Sequence, residues 1–484
     1  MCLEYGVVSK RNPSLAIRGN ESCYSNERRH RIEIAYLQGP YPAFRSLKFM
    51  AEKIIKAVRG TRDLLPPETE LWNHVESTAR RIFTRYNFGE IRTPIFEDTQ
   101  LFARGVGEET DIVSKEMYTW EDRARAQSEK AQSLTLRPEN TAGVVRAYIE
   151  HQLGESGLLQ KLYYIGPQFR RERPQKGRYR QFFQIGAEVM GPQSAGSESP
   201  LRDAEMLEML TSLLDELAIT GWTLNINSVG SASDRPLYVE ALRKALQPVI
   251  GRMCVDCQRR AETNPLRVLD CKVPEDQPVI ETLPRIADSL DDASKAHFAA
   301  VCAALDICGV PYQRNHRLVR GLDYYTRTTF EFTHGGLGAQ NALLGGGRYD
   351  GLSEMLGGPK APGIGFAIGA DRLVLTLQAQ QAEQASLPPD LADAYLAPMG
   401  VVLDAPALSL ARELRRAGLR IDLGDGSFRL KKSFETGNKL ARQIILFGED
   451  EQQSGIFTVK NFANGEQTKV AREHLVTALK SIEK

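Results

Sequence analysis

The sequence predicts an α+β protein: an antiparallel sheet flanked by helices, with a helical insertion and a C-terminal α/β domain. Three observations lead to this class. Strand-like runs with short connections occur in residues 50–230 and 313–378, and short connections favour antiparallel pairing. Residues 231–312 carry Leu- and Ala-rich helical patterns without a clear strand. Residues 392–484 alternate strand and helix after a polar linker, 379–391, which indicates a separate small domain.

Composition excludes several classes of protein. The chain has 484 residues, of which 42% are hydrophobic and 25% charged, so it is not a disordered, collagenous or coiled-coil chain. The sequence contains no run of about 18 apolar residues, so no membrane span is predicted. The net charge is +1, so nucleic-acid binding would depend on local basic patches. Seven scattered cysteines do not form a disulfide pattern, and a reducing cytoplasm is the predicted location.

Residues 1–49 differ from the rest of the chain. They carry eight Lys or Arg and four Glu, with no sustained period of strand or helix. A targeting peptide is disfavoured by the four glutamates, and a basic arm that binds nucleic acid stays open. We favour a poorly ordered extension ahead of a natural beginning at Met50.

The elements that follow are predicted from periodicity. A helix begins after Pro66-Pro67, where apolar residues recur every three or four positions, and ends at Asn87 and Gly89. Glu90–Glu97 is a predicted strand in which Pro94 marks an edge or interface position, because proline cannot donate a ladder hydrogen bond. Further predicted strands are Leu134–Glu139, Lys161–Arg171, Gln181–Met190, Thr223–Val229, Tyr324–Thr333 and Ala361–Ala367. The C-terminal strands are predicted at Ala394–Leu396, Arg420–Leu423, Gln443–Phe447 and Gly455–Val459, with helices around Ala405–Ala417 and Leu430–Ala441.

The hairpin at residues 161–190 carries the strongest chemical signal. Strand residues alternate faces, so one face of Gln181–Val189 is apolar and the other presents Phe182, Gln184, Gly186 and Glu188. An aromatic ring, an amide and a carboxylate suit the floor of a site for a polar ligand with a flat ring, and the glycine would leave room for it. A solvated outer face is the alternative, although such faces usually carry Lys, Thr or Glu.

The turn of this hairpin is strongly basic. Between Arg170 and Arg180 it carries six Lys or Arg and one acidic residue, Glu172. Guanidinium groups match phosphate oxygens bidentately, so the turn predicts a polyphosphate ligand and an RNA end as partners. Upstream, Arg137 and Glu139 share a face of their predicted strand. On spacing alone, a surface ion pair between them is an equal alternative to a role in the site.

Two further segments and one side chain point to the same site. Arg320–Tyr325 places an Arg, an Asp and two Tyr around a glycine, and Gly345–Gly351 is dense in glycine, so that its backbone could approach a ligand closely. Neither has the spacing of a Walker phosphate loop, and a Rossmann fingerprint is absent. Arg372 falls off the apolar stripe of its helix and is expected to point toward the sheet.

Together these segments resemble the histidyl-tRNA synthetases, a family of class II aminoacyl-tRNA synthetases, in their bacterial form. The resemblance covers residues 53–484 and rests on LVRGLDYY around Arg320–Tyr325, GGGRYDGL at 345–352, FRRERPQKGRYRQFFQIGAE from Phe169, and GIGFAIGADRL, which ends at Leu373. It implies a class II antiparallel sheet and an anticodon-binding domain at 392–484. It also implies a homodimer, formed around Pro94.

The resemblance also implies a role for each matching residue. Histidine would be bound by Glu139, Thr141, Gln184, Glu188, Tyr325 and Tyr349. ATP would be bound by Arg170, Glu172, Phe182 and Arg372, with adenine between the last two. Arg320 and Arg170 would stabilise the reacting phosphate, while Arg173 and Gln175 would contact the tRNA acceptor end. Asn140 and Asp371 stand where the family often has Gly and Glu.

The reaction that the resemblance implies has two steps and uses ATP with Mg²⁺. Histidine and ATP give histidyl-adenylate and diphosphate, and tRNA(His) then takes the histidyl group and releases AMP. A non-catalytic relative, the regulatory subunit of ATP phosphoribosyltransferase, shares the fold but usually lacks the C-terminal domain and the catalytic arginines. Cys254 and Cys257 form a CxxC with Cys271 beyond it. No nearby His supplies a fourth zinc ligand, so no metal site made by protein ligands is predicted, and structural zinc at these cysteines stays open as the minor alternative.

Overall fold

The computed structural model describes residues 54–107, 110–122, 131–175, 177–319, 324–337, 341–383 and 391–480. The predicted extension 1–49, most of the polar linker and Arg320 lie outside the described residues. The chain divides into two units, Met1–Lys56 and Ala57–Lys484, and every element given below belongs to the second. Within the described residues, no helix has the length and apolar character needed to cross a bilayer.

Helices alternate irregularly with strands along the chain. The α-helices of the described residues are α1 Glu68–Arg85, α2 Thr99–Val106, α3 Thr141–Glu150, α4 Pro200–Glu216, α5 Asp234–Leu246, α6 Val255–Thr263, α7 Gln277–Glu281, α8 Asp292–Cys308, α9 Leu352–Met355, α10 Ala370–Glu383, α11 Asp404–Arg416, α12 Leu430–Leu440, α13 Glu449–Ser454 and α14 Leu475–Lys480. The strands are β1 Gly89–Glu90, β2 Phe96–Asp98, β3 Tyr118–Asp122, β4 Gln132–Leu136, β5 Gln160–Phe169, β6 Gln181–Met190, β7 Trp222–Ser228, β8 Gln313–Arg314, β9 Thr326–His334, β10 Ala342–Arg348, β11 Gly363–Gly369, β12 Ala392–Pro398, β13 Ile421–Leu423, β14 Ala441–Phe447, β15 Ile456–Asn461 and β16 Gln467–Ala471.

The strands form three sheets. The largest has eight strands in the order β1-β5-β6-β11-β10-β9-β7-β8 and is antiparallel except for the pairs at its two ends, β1/β5 and β7/β8. A five-stranded mixed sheet, β13-β12-β14-β15-β16, lies in the C-terminal region, and β2, β4 and β3 form a small antiparallel sheet. The predicted α+β class with an antiparallel main sheet is confirmed.

The main core lies between one face of the eight-stranded sheet and the helices α1, α4, α8 and α10. Helix α1 follows the predicted periodicity, because Val75, Ala79, Ile82 and Phe83 are all buried. Strand β6 follows the predicted alternation, since Ile185, Ala187 and Val189 belong to this core. Each fully buried Val, Ile or Phe side chain stabilises the fold by about 1.5–3 kcal/mol. The opposite face of β6 is thereby left for the polar side chains.

Two predicted strands differ from those in the structure for reasons that involve proline. Glu90–Glu97 is not one strand: β1 pairs with β5, β2 pairs with β4, and Pro94 lies between them. Strand β4 ends at Leu136 rather than at Glu139, because Pro138 has no N–H to donate. Thr93 and Pro94 instead accept hydrogen bonds from the buried guanidinium of Arg137.

Candidate active site

A cavity of about 380 Å³ lies over the polar face of the main sheet. It is lined by the start of α3, the basic turn after β5, strands β6, β9, β10 and β11, and the start of α10. Its lining includes these predicted site residues: Glu139, Thr141, Arg170, Glu172, Phe182, Gln184, Tyr325, Tyr349 and Arg372. Segments separated by more than 200 residues therefore converge on one space, and they bring both carboxylates and guanidinium groups to it.

Glu139 is fixed by the first turn of α3. Its carboxylate accepts hydrogen bonds from the amides of Thr141 and Ala142, at 2.8 and 3.0 Å. Burial raises the pKa of Glu139, and these two amide hydrogen bonds oppose that rise. The hypothesis of a surface ion pair with Arg137 is wrong, since both side chains are buried and each bonds to other groups.

Glu188 is the centre of a buried cluster of hydroxyl groups. Its carboxylate accepts hydrogen bonds from Thr141 and Tyr349, both at 2.7 Å, and from Tyr164 at 3.4 Å. The side chain is fully buried, behind the Thr141 and Tyr349 side chains that line the cavity. Glu188 therefore acts on the cavity through these hydroxyls, which its hydrogen bonds orient.

Two glycines make this cluster possible. A Cβ at Gly365 would lie 1.6 Å from a carboxylate oxygen of Glu188, so only glycine leaves space for the acid. A Cβ at Gly186 would lie 2.4 Å from the ring of Tyr164, its partner on β5. The interpretation that Gly186 leaves room for a ligand is therefore wrong, because Tyr164 fills that space.

The ionisation of Glu188 makes a testable contribution to stability. Burial, with some addition from Glu139, raises the pKa of Glu188 to about 8. Between its unfolded value of about 4.3 and this value, the folded chain keeps a proton that the unfolded chain has released. The free energy of unfolding therefore falls as pH rises through this window.

We expect Glu188→Gln to flatten this decline, because glutamine has no proton to lose. The measurement is the melting temperature of the ligand-free protein at pH 5, 6.5 and 8. Glu155→Gln, at an exposed glutamate outside the cluster, is the control and should keep the wild-type dependence. An unchanged pH dependence in Glu188→Gln would contradict this assignment.

Gln184 presents an unused acceptor to the same space. Its side chain is buried and lines the cavity, and its Oε1 has no hydrogen-bond partner among the described residues. Buried polar atoms normally have partners, so an unpaired amide oxygen at a cavity wall fits a ligand that donates hydrogen bonds, such as an α-ammonium group. Asn140, where the family often has glycine, is accommodated because its Oδ1 accepts from Thr93 at 2.6 Å.

Another part of the cavity lining is formed by arginines. The Nε of Arg170 donates to the carbonyl of Pro138 at 2.9 Å, and its guanidinium lies 5.2 Å from the ring centroid of Phe182. Glu172 lies 4.0 Å from Arg170 and pairs with Arg178 at 2.9 Å. Arg372 lines the same part and donates to the carbonyl of Ala342, so it points toward the sheet as predicted.

The basic turn carries the two residues that were predicted to contact the tRNA acceptor end. Arg173 and Gln175 are exposed, and Gln175 pairs through its backbone with Arg178 to close the turn. Asp371, where the family often has glutamate, accepts from the amide of Phe183 at 3.2 Å and from Arg62 at 3.2 Å. Burial raises the pKa of Asp371, and these donors oppose that rise. Asp371 thus joins α10 to β6 beside the cavity.

The glycine-rich segment is a strand that packs closely against its neighbours. A Cβ at Gly346 would lie 2.1 Å from the carbonyl oxygen of Gly365, and one at Gly347 would lie 2.7 Å from that of Thr328. Only Gly345 of the three lines the cavity. The prediction that this backbone approaches a ligand is wrong for Gly346 and Gly347, whose small size serves strand packing.

Sequence reasoning missed several residues of the site. Asp270 of the helical insertion and Glu331 of β9 line the cavity. Arg348 is fully buried and pairs with Asp203 at 2.6 Å and with Asp350 at 2.9 Å, which anchors β10 directly beside Tyr349. The alternation of faces along Lys161–Arg171 could have predicted Tyr164 as a site residue. No local pattern predicts that Arg348 pairs with Asp203, because the two residues are far apart in the chain.

Comparison with known proteins decides the family. A family model described as histidyl-tRNA synthetase matches residues 60–373, and one described as an anticodon binding domain matches residues 393–482. A histidine–tRNA ligase from Koribacter versatilis is 72% identical over 423 residues, which are 87% of this chain and 95% of that protein. The chain belongs to the histidyl-tRNA synthetase family. As a member it is an aminoacyl-tRNA synthetase, an enzyme that ligates histidine to tRNA with ATP as substrate.

Solved structures agree with this family assignment. The crystal structure of the apo histidyl-tRNA synthetase of S. aureus has a TM-score of 0.71 and 39% identity, covering 88% of this chain and all of that one. A structure from Bacillus halodurans, described as an ATP phosphoribosyltransferase regulatory subunit/histidyl-tRNA synthetase, has 20% identity and a TM-score of 0.57, and it shares the fold alone. The alternative of a regulatory subunit is set aside by the ligase relatives and by the matched anticodon-binding domain.

Proposed function

We propose that histidine and ATP bind side by side in this cavity and react there to form histidyl-adenylate. The observation that carries the proposal is that one cavity is lined both by hydrogen-bond acceptors and by guanidinium groups. The acceptors are Glu139, Gln184 and the hydroxyls that bond to Glu188, and the guanidinium groups are those of Arg170 and Arg372. Acceptors suit the ammonium group and imidazole N–H of histidine, and guanidinium groups suit a triphosphate.

The histidine carboxylate attacks the α-phosphorus of ATP, and diphosphate leaves. No protein nucleophile is required, so the chain contributes position and charge. Arg170 stabilises the negative charge that develops on the phosphate oxygens. We assign Arg320 to the same phosphate on the basis of the family resemblance alone. The tRNA terminal hydroxyl then takes the histidyl group and AMP leaves.

Selection of histidine follows from the buried acid. Thr141 and Tyr349 both donate to Glu188, so their hydroxyl oxygens are left to accept from the ligand, and Tyr325 lines the same wall. Apolar side chains of similar size would leave these polar groups without partners, which is a strong basis for rejection. Imidazole supplies the missing N–H donor.

Mg²⁺ enters with ATP as part of the substrate. The carboxylates of Glu172 and Glu331 line the cavity, and carboxylate oxygens are ligands that Mg²⁺ accepts. The ion would neutralise part of the triphosphate charge. We assign Arg173 and Gln175, exposed on the turn beside the cavity, to the acceptor end of tRNA(His).

We further propose a homodimer and a cytoplasmic location. Ile95, Phe96 and Trp120 are 45%, 53% and 40% exposed, and the rings of Phe96 and Trp120 lie 6.1 Å apart. These residues form an apolar patch beside Pro94, and such patches commonly mark protein interfaces. The described cysteines are free, which is consistent with a reducing compartment.

The proposal is tested by ATP–pyrophosphate exchange. We expect exchange to depend on histidine and not on other amino acids. Gln184→Ala should raise the KM for histidine by about tenfold, as expected when a charge-assisted hydrogen bond is lost, and leave the KM for ATP within about twofold. Exchange without histidine dependence would reject the proposed reaction, and an equal rise in both KM values would reject the role of Gln184.

A further inference from the structure

The helical insertion brings together four potential metal ligands. Cys254, Cys257, Cys271 and Asp276 each offer one ligand atom, and these four atoms lie within 4.8 Å of one another. Three of the residues are buried and Cys254 is partly buried. The fourth ligand that the sequence did not reveal is thus a carboxylate, which lies five positions beyond Cys271.

The spacing of the ligand atoms fits a tetrahedral ion. The Sγ atoms of Cys254 and Cys271 lie 3.9 Å apart, and the Sγ of Cys271 lies 3.3 Å from an Oδ of Asp276. Zn–S bonds of about 2.3 Å place two sulfurs of a tetrahedron about 3.8 Å apart. A disulfide bond would need about 2.05 Å, so the sulfurs of Cys254 and Cys271 are not bonded to each other.

Backbone amides support the same arrangement. The amide of Cys257 donates to the Sγ of Cys254 at 3.4 Å, and the amide of Val273 donates to the Sγ of Cys271 at 3.4 Å. The amide of Cys254 donates to Asp276 at 3.1 Å. Such donors hold metal ligands in place and stabilise their negative charge. The buried carboxylate of Asp276 thus accepts hydrogen bonds from within the cluster, from the amide of Cys254 and the Sγ of Cys271.

We propose that Cys254, Cys257, Cys271 and Asp276 bind one Zn²⁺ in a structural site. Structural zinc takes four protein ligands, thiolate sulfur and carboxylate oxygen are both among the atoms that bind it, and soft thiolates favour Zn²⁺ over Mg²⁺ or Ca²⁺. The site lies outside the cavity described above and does not depend on the reaction proposed for it.

The ion would join three pieces of the insertion: the start of α6, the residue after the turn Pro265–Asp270, and the turn Pro274–Asp276. Within the turn Pro265–Asp270, Asp270 lines the active-site cavity and Arg267 pairs with Asp111 at 3.1 Å. The zinc therefore holds the segment by which the insertion reaches the cavity.

Metal analysis of the full chain tests the proposal. Protein purified without chelator from zinc-supplemented cells should contain about one zinc per chain by inductively coupled plasma mass spectrometry. Refolding with Co²⁺ should give the visible d–d bands and sulfur-to-cobalt charge-transfer absorption of a tetrahedral thiolate site. These two measurements need no variant.

Variants identify the ligands. Cys257→Ser and Asp276→Asn should lower the zinc content to less than about a tenth per chain and abolish or shift the cobalt bands. Cys302→Ser, at a buried cysteine of α8 outside the cluster, should keep wild-type zinc. Wild-type protein without zinc or a cobalt signal would overturn the proposal, and so would a Cys254–Cys271 disulfide or wild-type zinc in both ligand variants.

Discussion

Replacing Arg170 with methionine is expected to lower kcat/KM for histidine-dependent pyrophosphate exchange by about 10²–10³-fold. A fixed donor at developing negative charge contributes about 3–4 kcal/mol to the transition state. Arg170 is fixed in this way, because its Nε bonds to the Pro138 carbonyl and its guanidinium lies against Phe182. Methionine keeps an unbranched apolar chain in place of the aliphatic stem of Arg170 and removes the charge and the donors.

The neighbouring residue supplies the control for Arg170. Arg171→Met removes an exposed cation from the same turn, and the exchange rate should stay within about threefold of wild type, because exposed charges act weakly on a partly buried site. The melting temperatures of both variants should match that of wild type. Equal losses in both variants would mean that the turn acts only through its total charge, and Arg170 would lose its assigned role.

Replacing Arg348 with methionine is expected to destabilise the fold by about 3–5 kcal/mol, the cost of leaving a buried charge without its partner. Arg348 and Asp203 are both fully buried and lie 2.6 Å apart. Although burial disfavours its charge, Arg348 and His297 hold the pKa of Asp203 below its ordinary value. Without Arg348, that charge would be left beside His297 alone, which lies 2.8 Å away. Urea denaturation measures the loss.

A surface pair and a double variant separate this effect from loss of any ion pair. Arg81→Met removes one partner from a surface pair with Glu216 of the same length, 2.6 Å, and should lower the free energy of unfolding far less than Arg348→Met does. Replacing Asp203 with leucine in the Arg348→Met background should recover part of the loss, because the fully buried carboxylate that lost its partner is then removed. A loss in Arg348→Met no larger than in Arg81→Met would contradict this account.

Arg170 and Arg348 illustrate what a local sequence pattern can and cannot predict. Alternation along Gln181–Met190 predicted the face that carries Phe182, Gln184 and Glu188, and the strand has the predicted bounds. The composition of the basic turn predicted a polyphosphate ligand, and the family resemblance assigned Arg170 to it. Arg348 was not predicted to have a structural role, because its partner Asp203 lies 145 residues away in the chain. The sequence therefore predicts which residues share a strand face, and it leaves their distant partners open.

The sequence by itself determined the class of the fold, the alternation of β6, the first helix and the motifs of the family. These follow from side-chain periods of two and 3.6 and from short segments, all of which are local. Tertiary structure alone decided that Tyr164 fills the space over Gly186, that Glu188 lies behind Thr141 and Tyr349, and that Asp276 joins three cysteines. The reason is physical: each of these outcomes depends on contacts between segments whose distance in space no local pattern records.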